Sequence, residues 1–575
     1  MKRRNFLHTL STGSALLLTS GELHNTLKAS PLSACSINEE EVLLADVVIV
    51  GGGLGGVASA LSLLRNGKTV ILTEETDWLG GQLTQQGVPL DEHRWIEHTG
   101  CTKSYRNFRN KIREYYKCNY PLKEEVAKVP YFNPGNASVS SFCHEPKVAL
   151  TVIRELLAPY LSSGRLRVFY NYKPVECRVN LDRIEMVVVK NTLKNEKKAL
   201  KASYFVDATE LGDLLPLSRT EFVSGTESRT DTNELHAPIK GNAENVQVFT
   251  TCFAVDYLPG ENHIIEKPSE YGFWKAFVPP LKEAWPGKLL DLSYSNPRTL
   301  QKTTACFAPD DKGCGEVFNL WSYRRIIDRN NFEKGFYSSD ISLINWPQND
   351  YMLGNLIGTS DRDFSKLVEG SKQLSLSLLY WLQTEVPRPD GGKGWAGLRL
   401  RKDVLGSSDG LAKYPYVRES RRIKSMFTIL EEHVGVENRR HVVANAEDSV
   451  RAADFYDSVG IGYYPIDLHP TCGGDNYIDF ASLRFQIPLG ALLPIRMKNL
   501  LPANKNIGTT HITNGCYRVH PVEWSIGEAV GLLAFFSLEN DCLLPQVRAD
   551  RILLSRFQSF LRSEGVETEW PWDEE

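Results

Sequence analysis

Residues 46–74 read DVVIVGGGLGGVASALSLLRNGKTVILTE, and this stretch decides the fold of the chain. It consists of a hydrophobic segment, a glycine-rich turn, an amphipathic segment, a second hydrophobic segment and a final acid. Gly51, Gly53 and Gly56 keep the G-x-G-x-x-G spacing where the predicted strand becomes a helix. Such glycines permit a tight turn, a close approach of the backbone to a pyrophosphate, and close packing of helix on strand. The stretch therefore predicts a Rossmann-like unit that binds a dinucleotide, with Glu74 accepting hydrogen bonds from its ribose.

The residues after Glu74 favour FAD over NAD as the dinucleotide. Residues 75–84 read ETDWLGGQLT. A Leu-Gly-Gly turn this soon after the ribose acid is typical of flavoproteins rather than of nicotinamide dehydrogenases. Because the chain doubles back there, Gly80, Gly81 and Gln82 are predicted to lie beside the extended cofactor. An NAD-dependent dehydrogenase is the less favoured alternative.

Two segments far along the chain agree with a long cofactor. Residues 204–213 read YFVDATELGD, a strand that runs into an Asp-Ala-Thr turn, and residues 499–508 read NLLPANKNIG, the end of another strand. A helix of small residues follows at 525–534. FAD is long, so we expect contacts from segments that are distant in sequence. The predicted cofactor-binding residues are Gly51, Gly53, Gly55, Gly56, Glu74, Gly80, Gly81, Gln82, Asp207, Thr209, Gly508 and Gly527.

These motifs give the chain a family resemblance. It resembles the FAD-dependent oxidoreductases of the glutathione-reductase-like superfamily, and most of all the bacterial group of such proteins. The blocks that carry the resemblance are W-L-G-G-Q-L-T at 78–84, D-A-T-E-L-G-D at 207–213 and T-H-I-x-x-G-x-x-R-V-x-P at 510–521. The resemblance covers roughly residues 46–540, although the part between the second and third blocks is much less diagnostic. It implies tightly held FAD and hydride chemistry carried out by the flavin.

Length and composition place the chain among ordinary globular enzymes. Its 575 residues suffice for two or three domains, and 42% hydrophobic and 24% charged residues are typical values. A net charge of −4, without basic tracts beyond the N-terminus, gives no indication of nucleic-acid binding. No run of about 18 apolar residues follows the N-terminal segment at 1–44, so we expect no transmembrane segment in the mature chain.

The N-terminus has the pattern of an export signal. Twin arginines, Arg3 and Arg4, precede a modest apolar stretch that ends at Leu18. This pattern predicts export through the twin-arginine translocon to the periplasm or another extracytoplasmic site. A basic start without a targeting role, in a cytoplasmic protein, is the alternative. Residues 32–35 resemble a lipobox ending at Cys35, but more than a dozen mostly polar residues separate them from the apolar run.

The expected fold is α/β, a Rossmann-like FAD-binding domain with a discontinuous second α+β substrate domain. We expect a surface helix from Val547 to Glu564 near the C-terminus. The predicted parts are a signal and linker at 1–44, the first part of the FAD-binding domain at 45–224 with an insertion at about 91–145, the substrate domain at 225–490, the second part of the FAD-binding domain at 491–540, and a C-terminal helix and tail at 541–575.

The eleven cysteines leave two alternatives open. No C-x-x-C pair occurs, which argues against zinc sites, iron–sulfur clusters and thioredoxin-like chemistry. In an exported protein, pairs such as Cys306 and Cys314 form disulfides, whereas in the cytoplasm all would be buried thiols. Cys143 beside His144 raises covalent flavin attachment as a further, less favoured possibility.

Three residues are the candidates for catalysis. His511 follows the turn at Gly508, where a histidine can act as a general base or stabilise the reduced flavin. Arg518 lies a little further on, beside His520, and suits a substrate anion or the flavin carbonyl oxygens. The alternatives without a catalytic role are a structural hydrogen bond for the histidine and packing at the start of a helix for the arginine.

The third candidate is Arg418, within a run of arginines around Glu419. Guanidinium groups bind carboxylates through two parallel hydrogen bonds, so this run suits an acidic substrate or cofactor oxygens. Its alternative is an internal ion-pair network with Arg421 and Arg422.

The sequence thus predicts an exported FAD-dependent oxidoreductase. It would transfer a hydride between a small organic substrate (an alcohol, an amine or an activated alkene) and FAD, and oxygen, a quinone or a soluble carrier would accept the electrons. A flavin-holding protein that catalyses nothing and serves binding or assembly is the alternative from another class.

Overall fold

The computed structural model describes residues 42–310, 312–443 and 450–571. The predicted export signal and Cys35 lie outside the described residues. In chain order the strands are β1 Val42–Leu44, β2 Val47–Val50, β3 Val70–Glu74, β4 Leu166–Tyr170, β5 Tyr172–Asn180, β6 Arg183–Asn191, β7 Lys197–Lys201, β8 Tyr204–Asp207, β9 Phe222–Val223, β10 Phe249–Thr250, β11 Phe253–Tyr257, β12 Ser293–Ser295, β13 Lys302–Thr304, β14 Arg325–Ile327, β15 Ile341–Ile344, β16 Asp350–Tyr351, β17 Leu398–Leu400, β18 Arg422–Ile423, β19 Ser458–Gly462, β20 Ile466–Leu468, β21 Ile478–Phe480, β22 Phe485–Pro488 and β23 Leu500–Pro502.

The helices lie between groups of these strands and at the C-terminal end. They are α1 Leu54–Arg65, α2 Lys103–Asn119, α3 Glu124–Ala127, α4 Pro146–Ser162, α5 Leu214–Leu217, α6 Arg229–Thr232, α7 Tyr271–Ala276, α8 Leu320–Tyr323, α9 Asp361–Thr384, α10 Lys402–Leu405, α11 Glu431–Val434, α12 Val436–Val442, α13 His511–Tyr517, α14 His520–Glu539, α15 Leu544–Ala549 and α16 Arg551–Ser563. Short 3₁₀ turns occur at Gly81–Leu83, Arg329–Asn331, Pro347–Asn349 and Leu489–Leu492.

A five-stranded parallel sheet positions the cofactor motifs. Its strand order is β23-β8-β2-β3-β4. Every residue of β2 is buried, as expected for a parallel strand covered on both faces. Because β2 pairs with both β3 and β8, the glycine turn, Glu74 and Asp207 meet at the carboxyl edge of the sheet. Ligands of open parallel sheets bind at this edge.

A second, antiparallel sheet confirms the predicted α/β class with an α+β part. Its order is β14-β15-β11-β17, and all of its pairings are antiparallel. Its strands and α9 surround a core that contains the fully buried Trp321 and Trp346. A disulfide joins Cys306 and Cys314, one of the pairings that the sequence left open.

Helix α14 holds the parallel sheet against α1. A Cβ on Gly527 of α14 would lie 2.0 Å from the carbonyl oxygen of Gly55, and one on Gly55 would lie 1.7 Å from that of Ala503. The two glycines therefore allow the helices and the end of β23 to touch backbone to backbone. Among the described residues, α14 is the one helix long and apolar enough to cross a membrane by length and composition, but 89% of its apolar window is buried inside the protein.

The C-terminal helix departs from the prediction. The sequence predicted one surface helix from Val547 to Glu564, whereas the structure has two helices, α15 and α16, which meet at Asp550. The Asp550 side chain accepts hydrogen bonds from the backbone N–H groups of Ile552 and Leu553. An aspartate at this position is a strong helix N-cap, so it starts a new helix instead of continuing the first.

Candidate functional site

The glycine turn forms one end of the site. Gly51 has φ +99°, and a Cβ there would lie 2.2 Å from the carbonyl oxygen of Ala208, so only glycine fits. Gly53 is the N-cap of α1, and its position carries no side-chain cap within the described part of the chain. The Gly55 N–H of this first turn is taken by Glu523, so the remaining N–H groups and the dipole of α1 point to where an anion can bind.

A cleft lies beside this turn, and we call it the glycine-loop cleft. It is lined by, among others, Gly51, Gly53, Glu74, Thr209, Asp213 and Tyr414. The cleft has the backbone of a tight turn on one side and a row of carboxylates on the other.

Glu74 is held rigidly in this cleft. Its Oε2 accepts a hydrogen bond from Gly52 N–H at 3.0 Å, while Oε1 accepts from Thr76 N–H at 2.7 Å and from the Gln85 amide at 3.0 Å. Oε2 keeps a lone pair for one further donor, such as a ribose hydroxyl. Burial raises the pKa of Glu74 to about 7 even though these donors favour the carboxylate.

Glu523 and Lys505 extend the site away from the cleft. Glu523 Oε1 accepts from Gly55 N–H at 3.1 Å, and its Oε2 accepts from the Gln82 amide at 2.5 Å. Lys505 Nζ donates to Glu210 at 2.5 Å. Burial raises the pKa of Glu523 to about 7, against the effect of Lys505. These contacts join the first glycine turn to the last sequence block.

Three buried arginines form the other end of the site, and we call them the arginine cluster: Arg324, Arg418 and Arg518. Tyr416 lies among them. The Arg418 guanidinium is 4.7 Å from the centre of the Tyr416 ring, and Nη1 of Arg518 donates to the Tyr416 hydroxyl at 2.6 Å. The phenol of Tyr416 also helps Asp91 to raise the pKa of Arg324 against burial.

Each arginine of the cluster has a carboxylate partner. The N–O distances are 3.0 Å from Arg418 to Asp350, 3.1 Å from Arg518 to Asp467, and 3.5 Å from Arg324 to Asp91. Burial by itself would raise the pKa of Asp467, but His469, Arg518 and the other two arginines hold it below its ordinary value. The charges of all three guanidinium groups therefore act on the Asp467 carboxylate.

The arginine cluster contains hydrogen-bond donors that the described residues leave unpaired. The Nε atom of each of its three arginines lacks a hydrogen-bond acceptor among the residues that the structure describes. The neighbouring amide nitrogen of Asn345 and hydroxyl of Tyr477 are buried without a partner in the same way. Since buried polar groups are nearly always paired in native proteins, these atoms indicate a place for a polar ligand.

Hydrogen bonds connect the glycine turn with the arginine cluster. The Gln82 amide donates both to Glu523 and to the carbonyl oxygen of Arg518, the latter at 3.1 Å. Tyr416 contributes to the raised pKa of Lys505, although burial is the largest influence and lowers it. Gln82 and Lys505 therefore lie between the start of α1 and the arginine cluster as polar groups that contact or influence both.

The predicted catalytic residues do not all lie together. Arg418 and Arg518 belong to the arginine cluster. His511 instead lies in a separate ion network, where its Nδ1 is 3.0 Å from Glu419 Oε2 and its backbone N–H donates to Glu227 at 2.8 Å. Glu419 also pairs with Arg422.

The predicted cofactor residues fall into two groups. Gly51, Gly53 and Glu74 line the glycine-loop cleft with Thr209. Thr209 is positioned by Asp207, which accepts its N–H and hydroxyl hydrogen bonds, at 3.1 and 2.7 Å. The other predicted glycines contact protein in the structure, and Gly55 and Gly527 touch each other. A Cβ on Gly56 would lie 2.3 Å from the carbonyl oxygen of Gly51, and a Cβ on Gly81 would lie 2.9 Å from Gly53. A Cβ on Gly80 would lie 2.6 Å from the Thr84 side chain, and a Cβ on Gly508 would lie 1.9 Å from Ser425 Oγ.

Sequence reasoning missed several residues of the site. Arg324 follows α8, far from any motif, and nothing in the sequence marks it. Lys505 lies inside the segment 499–508 that ends a predicted strand, but no local pattern marks it as a site residue. Asp467 and His469 had one usable signal, because two residues two apart along an extended segment point to the same face.

The residues present fit FAD. The start of α1 suits a pyrophosphate through the N–H groups that Glu523 does not occupy, and Oε2 of Glu74 suits a ribose hydroxyl. The polar groups between the cleft and the arginine cluster suit the rest of the cofactor. The turn at Gly51 leaves no room for a side chain, as expected where backbone and cofactor approach closely.

Comparison with known proteins identifies the family. The model of the FAD dependent oxidoreductase family matches residues 46–561. The chain therefore belongs to this family, and FAD is its cofactor.

Curated relatives match only short segments. Over 67 residues the chain is 42% identical to the FAD-dependent oxidoreductase dpasF of Apiospora sacchari. This match covers 12% of this chain and 14% of that protein. Over 55 residues it is 44% identical to the FAD-dependent oxidoreductase dbaF of Emericella nidulans. This match covers 10% of this chain and 12% of that protein. The match thus spans less than about one sixth of the length of either relative.

Solved structures show distant likeness. A mutant of the E. coli quinol fumarate reductase subunit FrdA is 10% identical with a TM-score of 0.31, over 91% of this chain and 74% of that chain. The p-nitrophenol 4-monooxygenase PnpA of Pseudomonas putida DLL-E4 is 12% identical with a TM-score of 0.28, over 67% of this chain and 70% of that chain.

Proposed function

We propose that this FAD-dependent oxidoreductase exchanges a hydride between bound FAD and a small organic substrate that carries a carboxylate. The reacting group would be an alcohol, an amine or an activated alkene. One observation carries the proposal: the three guanidinium groups of the arginine cluster are buried, and the Nε of each has no acceptor among the described residues. A buried guanidinium with a spare donor favours a ligand with anionic oxygens.

The FAD site would be formed by the cofactor-binding residues predicted from the sequence. The start of α1 at Gly53 receives the pyrophosphate, and Glu74 receives a ribose hydroxyl. Bound FAD accepts or donates the hydride and so supplies the redox chemistry. Lys505, buried against Glu210, places a positive charge between the cleft and the arginine cluster.

The arginine cluster would bind and orient the substrate. Arg418 and Arg518 are each fixed by one carboxylate, which leaves the Nε edge of each guanidinium for the ligand. Tyr416 contacts both guanidiniums and so fixes their positions relative to each other. Burial excludes water, so each charged hydrogen bond to the substrate is stronger than it would be at the surface.

Membership of the family favours an enzyme over the two alternatives, a flavin-holding binding protein and an NAD-dependent dehydrogenase. Oxygen, a quinone or a soluble carrier would accept the electrons. We also propose the division into a two-part FAD-binding domain and a substrate domain at 225–490. Placement in the bacterial, glutathione-reductase-like group is part of the same proposal, and it is supported by the sequence blocks alone.

We further propose export through the twin-arginine translocon. Arg3 and Arg4 support it, and so does the disulfide between Cys306 and Cys314, because disulfides persist mainly in oxidising compartments. A lipid anchor at Cys35 is the less favoured extension. Replacing both arginines by lysine should leave the protein in the cytoplasm, as cell fractionation would show. Unchanged export of the double variant would contradict the assignment of the signal.

The substrate proposal is tested with two isosteric probes, malonate and malonamide. Malonate should perturb the visible absorption of the FAD-loaded protein with a saturable dependence on concentration, because it places carboxylates in the arginine cluster beside the flavin. Malonamide, which has the same shape without charge, should have no effect. Equal responses to both, or no response to malonate, would overturn the anionic-substrate proposal and leave the family assignment intact.

A further inference from the structure

A carboxylate–histidine pair adjoins the arginine cluster. Nδ1 of His469 lies 2.6 Å from Oδ2 of Asp350. Oδ1 of the same carboxylate pairs with Arg418 at 3.0 Å and accepts from the Thr250 hydroxyl at 2.5 Å. Asp350 is completely buried, whereas 19% of the His469 side chain is accessible. A chain of guanidinium, carboxylate and imidazole therefore runs outward from the cluster.

Asp350 fixes which nitrogen of His469 carries a proton. Burial raises the pKa of Asp350, but Arg418 and His469 outweigh burial and hold it below its ordinary value. An ionised carboxylate only accepts hydrogen bonds, so Nδ1 of His469 must be the donor. In the neutral imidazole Nε2 is then the acceptor, and within the described residues it has no hydrogen-bond partner.

The position of His469 on the chain brings it to the same place as the substrate-binding arginines. It directly follows β20, two residues after Asp467, the partner of Arg518. The charges of His469 and of every arginine of the cluster act together on Asp467. The Tyr477 ring, with its unpaired hydroxyl, lies 5.4 Å from the imidazole, and Asp479 on β21 also faces it.

His511 is paired similarly, but its surroundings are closed. Its partner Glu419 also binds Arg422, and the pKa of Glu419 is held at about 2 by His511 and Arg422 against burial. Arg422 donates its other hydrogen bonds to the carbonyl oxygens of Gly225 and Thr509 and to Glu227. Every guanidinium nitrogen of Arg422 therefore has an acceptor within the protein, and only 4% of the His511 side chain is accessible.

We propose that His469 is a catalytic residue that exchanges the substrate proton through Nε2, and that Asp350 is its positioning residue. This inference rests on the proposed function. In the oxidation of an alcohol, Nε2 would accept the hydroxyl proton as the carbonyl group forms, and bound FAD would supply the acceptor for the hydride. The imidazolium then returns its proton to solvent through its accessible edge. For reduction of an activated alkene the same nitrogen delivers the proton.

The charges of the cluster suit this role. Its three guanidiniums already face three carboxylates, Asp350, Asp467 and Asp91, so an anionic substrate brings one excess negative charge. A proton accepted by His469 offsets that charge next to Asp350 and Asp467.

Carbethoxylation by diethyl pyrocarbonate, mapped by mass spectrometry on the FAD-loaded protein, tests the inference. The reagent modifies unprotonated, accessible imidazole nitrogens. His469 should react, and His511 should not. His263, which pairs with Glu261 at the surface, is the matched reference for an accessible histidine that lies outside the site.

Malonate should protect His469 selectively. At ten times its dissociation constant it should slow modification of His469 about tenfold, since the ligand-free fraction falls to about one eleventh, and leave His263 unchanged. Asp350→Asn should also slow modification of His469, because the amide NH2 can donate to Nδ1 and place the imidazole proton on Nε2. Glu419→Gln, the equivalent change at the other pair, should leave the rate at His469 unaltered.

The outcomes separate the two proposals. If malonate perturbs the flavin spectrum but does not protect His469, this inference is wrong and the proposed function stands. If malonate does neither, the anionic-substrate proposal fails and the inference fails with it. Absence of any modification at His469, or faster modification of His511, would overturn the role of His469 directly.

Discussion

The glycine-loop cleft and the arginine cluster, which we propose are two ends of one site, have opposite compositions. The cleft is made of backbone and carboxylates, and burial raises the pKa of its Glu74 to about 7. The cluster is made of buried guanidiniums, which hold the pKa values of Asp350 and Asp467 below normal. One end therefore offers helix N–H groups and acceptors for hydroxyls, and the other offers positively charged donors.

This difference separates holding a cofactor from selecting a substrate. A pyrophosphate and a ribose are the same in every FAD, so a rigid turn and one carboxylate suffice at the cleft. The cluster gathers Arg324, Arg418 and Arg518 from separate segments, and the positions of its donors depend on how those segments pack. Changes at one end should leave the binding function of the other end intact.

The largest expected effect contrasts two glycines of the same turn. Gly55→Ala would place a Cβ 1.7 Å from the carbonyl oxygen of Ala503, so the free energy of unfolding should fall by more than about 4 kcal/mol. Gly53→Ala meets its nearest atom, Glu523 Oε1, at 3.0 Å and should fold. The second variant should nevertheless lose FAD, because its methyl group blocks the pyrophosphate.

Thermal unfolding and flavin content, measured on both variants, check this contrast. A stable Gly55→Ala protein would contradict the close packing of α1 on the end of β23. A Gly53→Ala protein with full flavin content would contradict the position of the pyrophosphate.

The next effect concerns pH and the cleft. In the unfolded chain Glu74 titrates near 4.5, whereas in the folded protein without FAD its pKa is about 7. The folded state therefore holds a proton that the unfolded state has lost. Its contribution to stability is complete below about pH 4 and is lost as the pH rises through about 7, at most about 3 kcal/mol for this shift.

Glu74→Gln isolates this contribution, because glutamine has the same shape and does not ionise. Without FAD, the stability of the wild type should fall more steeply between about pH 5 and pH 8 than that of the variant, as urea unfolding would show. Asp467→Asn, at the cluster, should act with the opposite sign and at acid pH, because a carboxylate with a lowered pKa loses its contribution as the pH falls below its ordinary value of 3.8. Identical pH profiles for all three proteins would remove the electrostatic contrast between the two ends.

The smallest expected effect tests the cluster alone. Arg518→Lys keeps the charge but loses the planar pair of donors, so malonate affinity should fall about 10- to 100-fold while flavin content stays unchanged. Arg388→Lys, at an exposed pair with Asp390, is the matched control and should change neither quantity. Loss of flavin in Arg518→Lys with unaltered malonate affinity would reverse the assignment of the two ends.

Local motifs explain what the sequence could predict. The strand, turn, helix and acid of residues 46–74 are contiguous, so their spacing alone places Gly51, Gly53 and Glu74 in one cleft. The α/β class follows from the same alternation of segments. Arg418 and Arg518 could be found because the first lies in a conspicuous run of arginines and the second lies in the last sequence block.

Tertiary contacts explain what the sequence could not predict. His511 stands close to the turn at Gly508, which made it the obvious histidine, but only the fold shows that Glu419 and Arg422 enclose it. His469 is paired with Asp350, 119 positions earlier in the chain. No local pattern connects these two residues, since β16 and the end of β20 come together only in the folded chain.

A crystal structure of the protein with FAD and malonate would test most directly whether the cleft and the cluster form one site. The proposed arrangement predicts the pyrophosphate at Gly53, the adenosine ribose at Glu74, and a malonate carboxylate on Arg418 and Arg518 beside the flavin ring. A flavin ring that points away from the cluster, or malonate bound elsewhere with the three Nε atoms still unpaired, would contradict it.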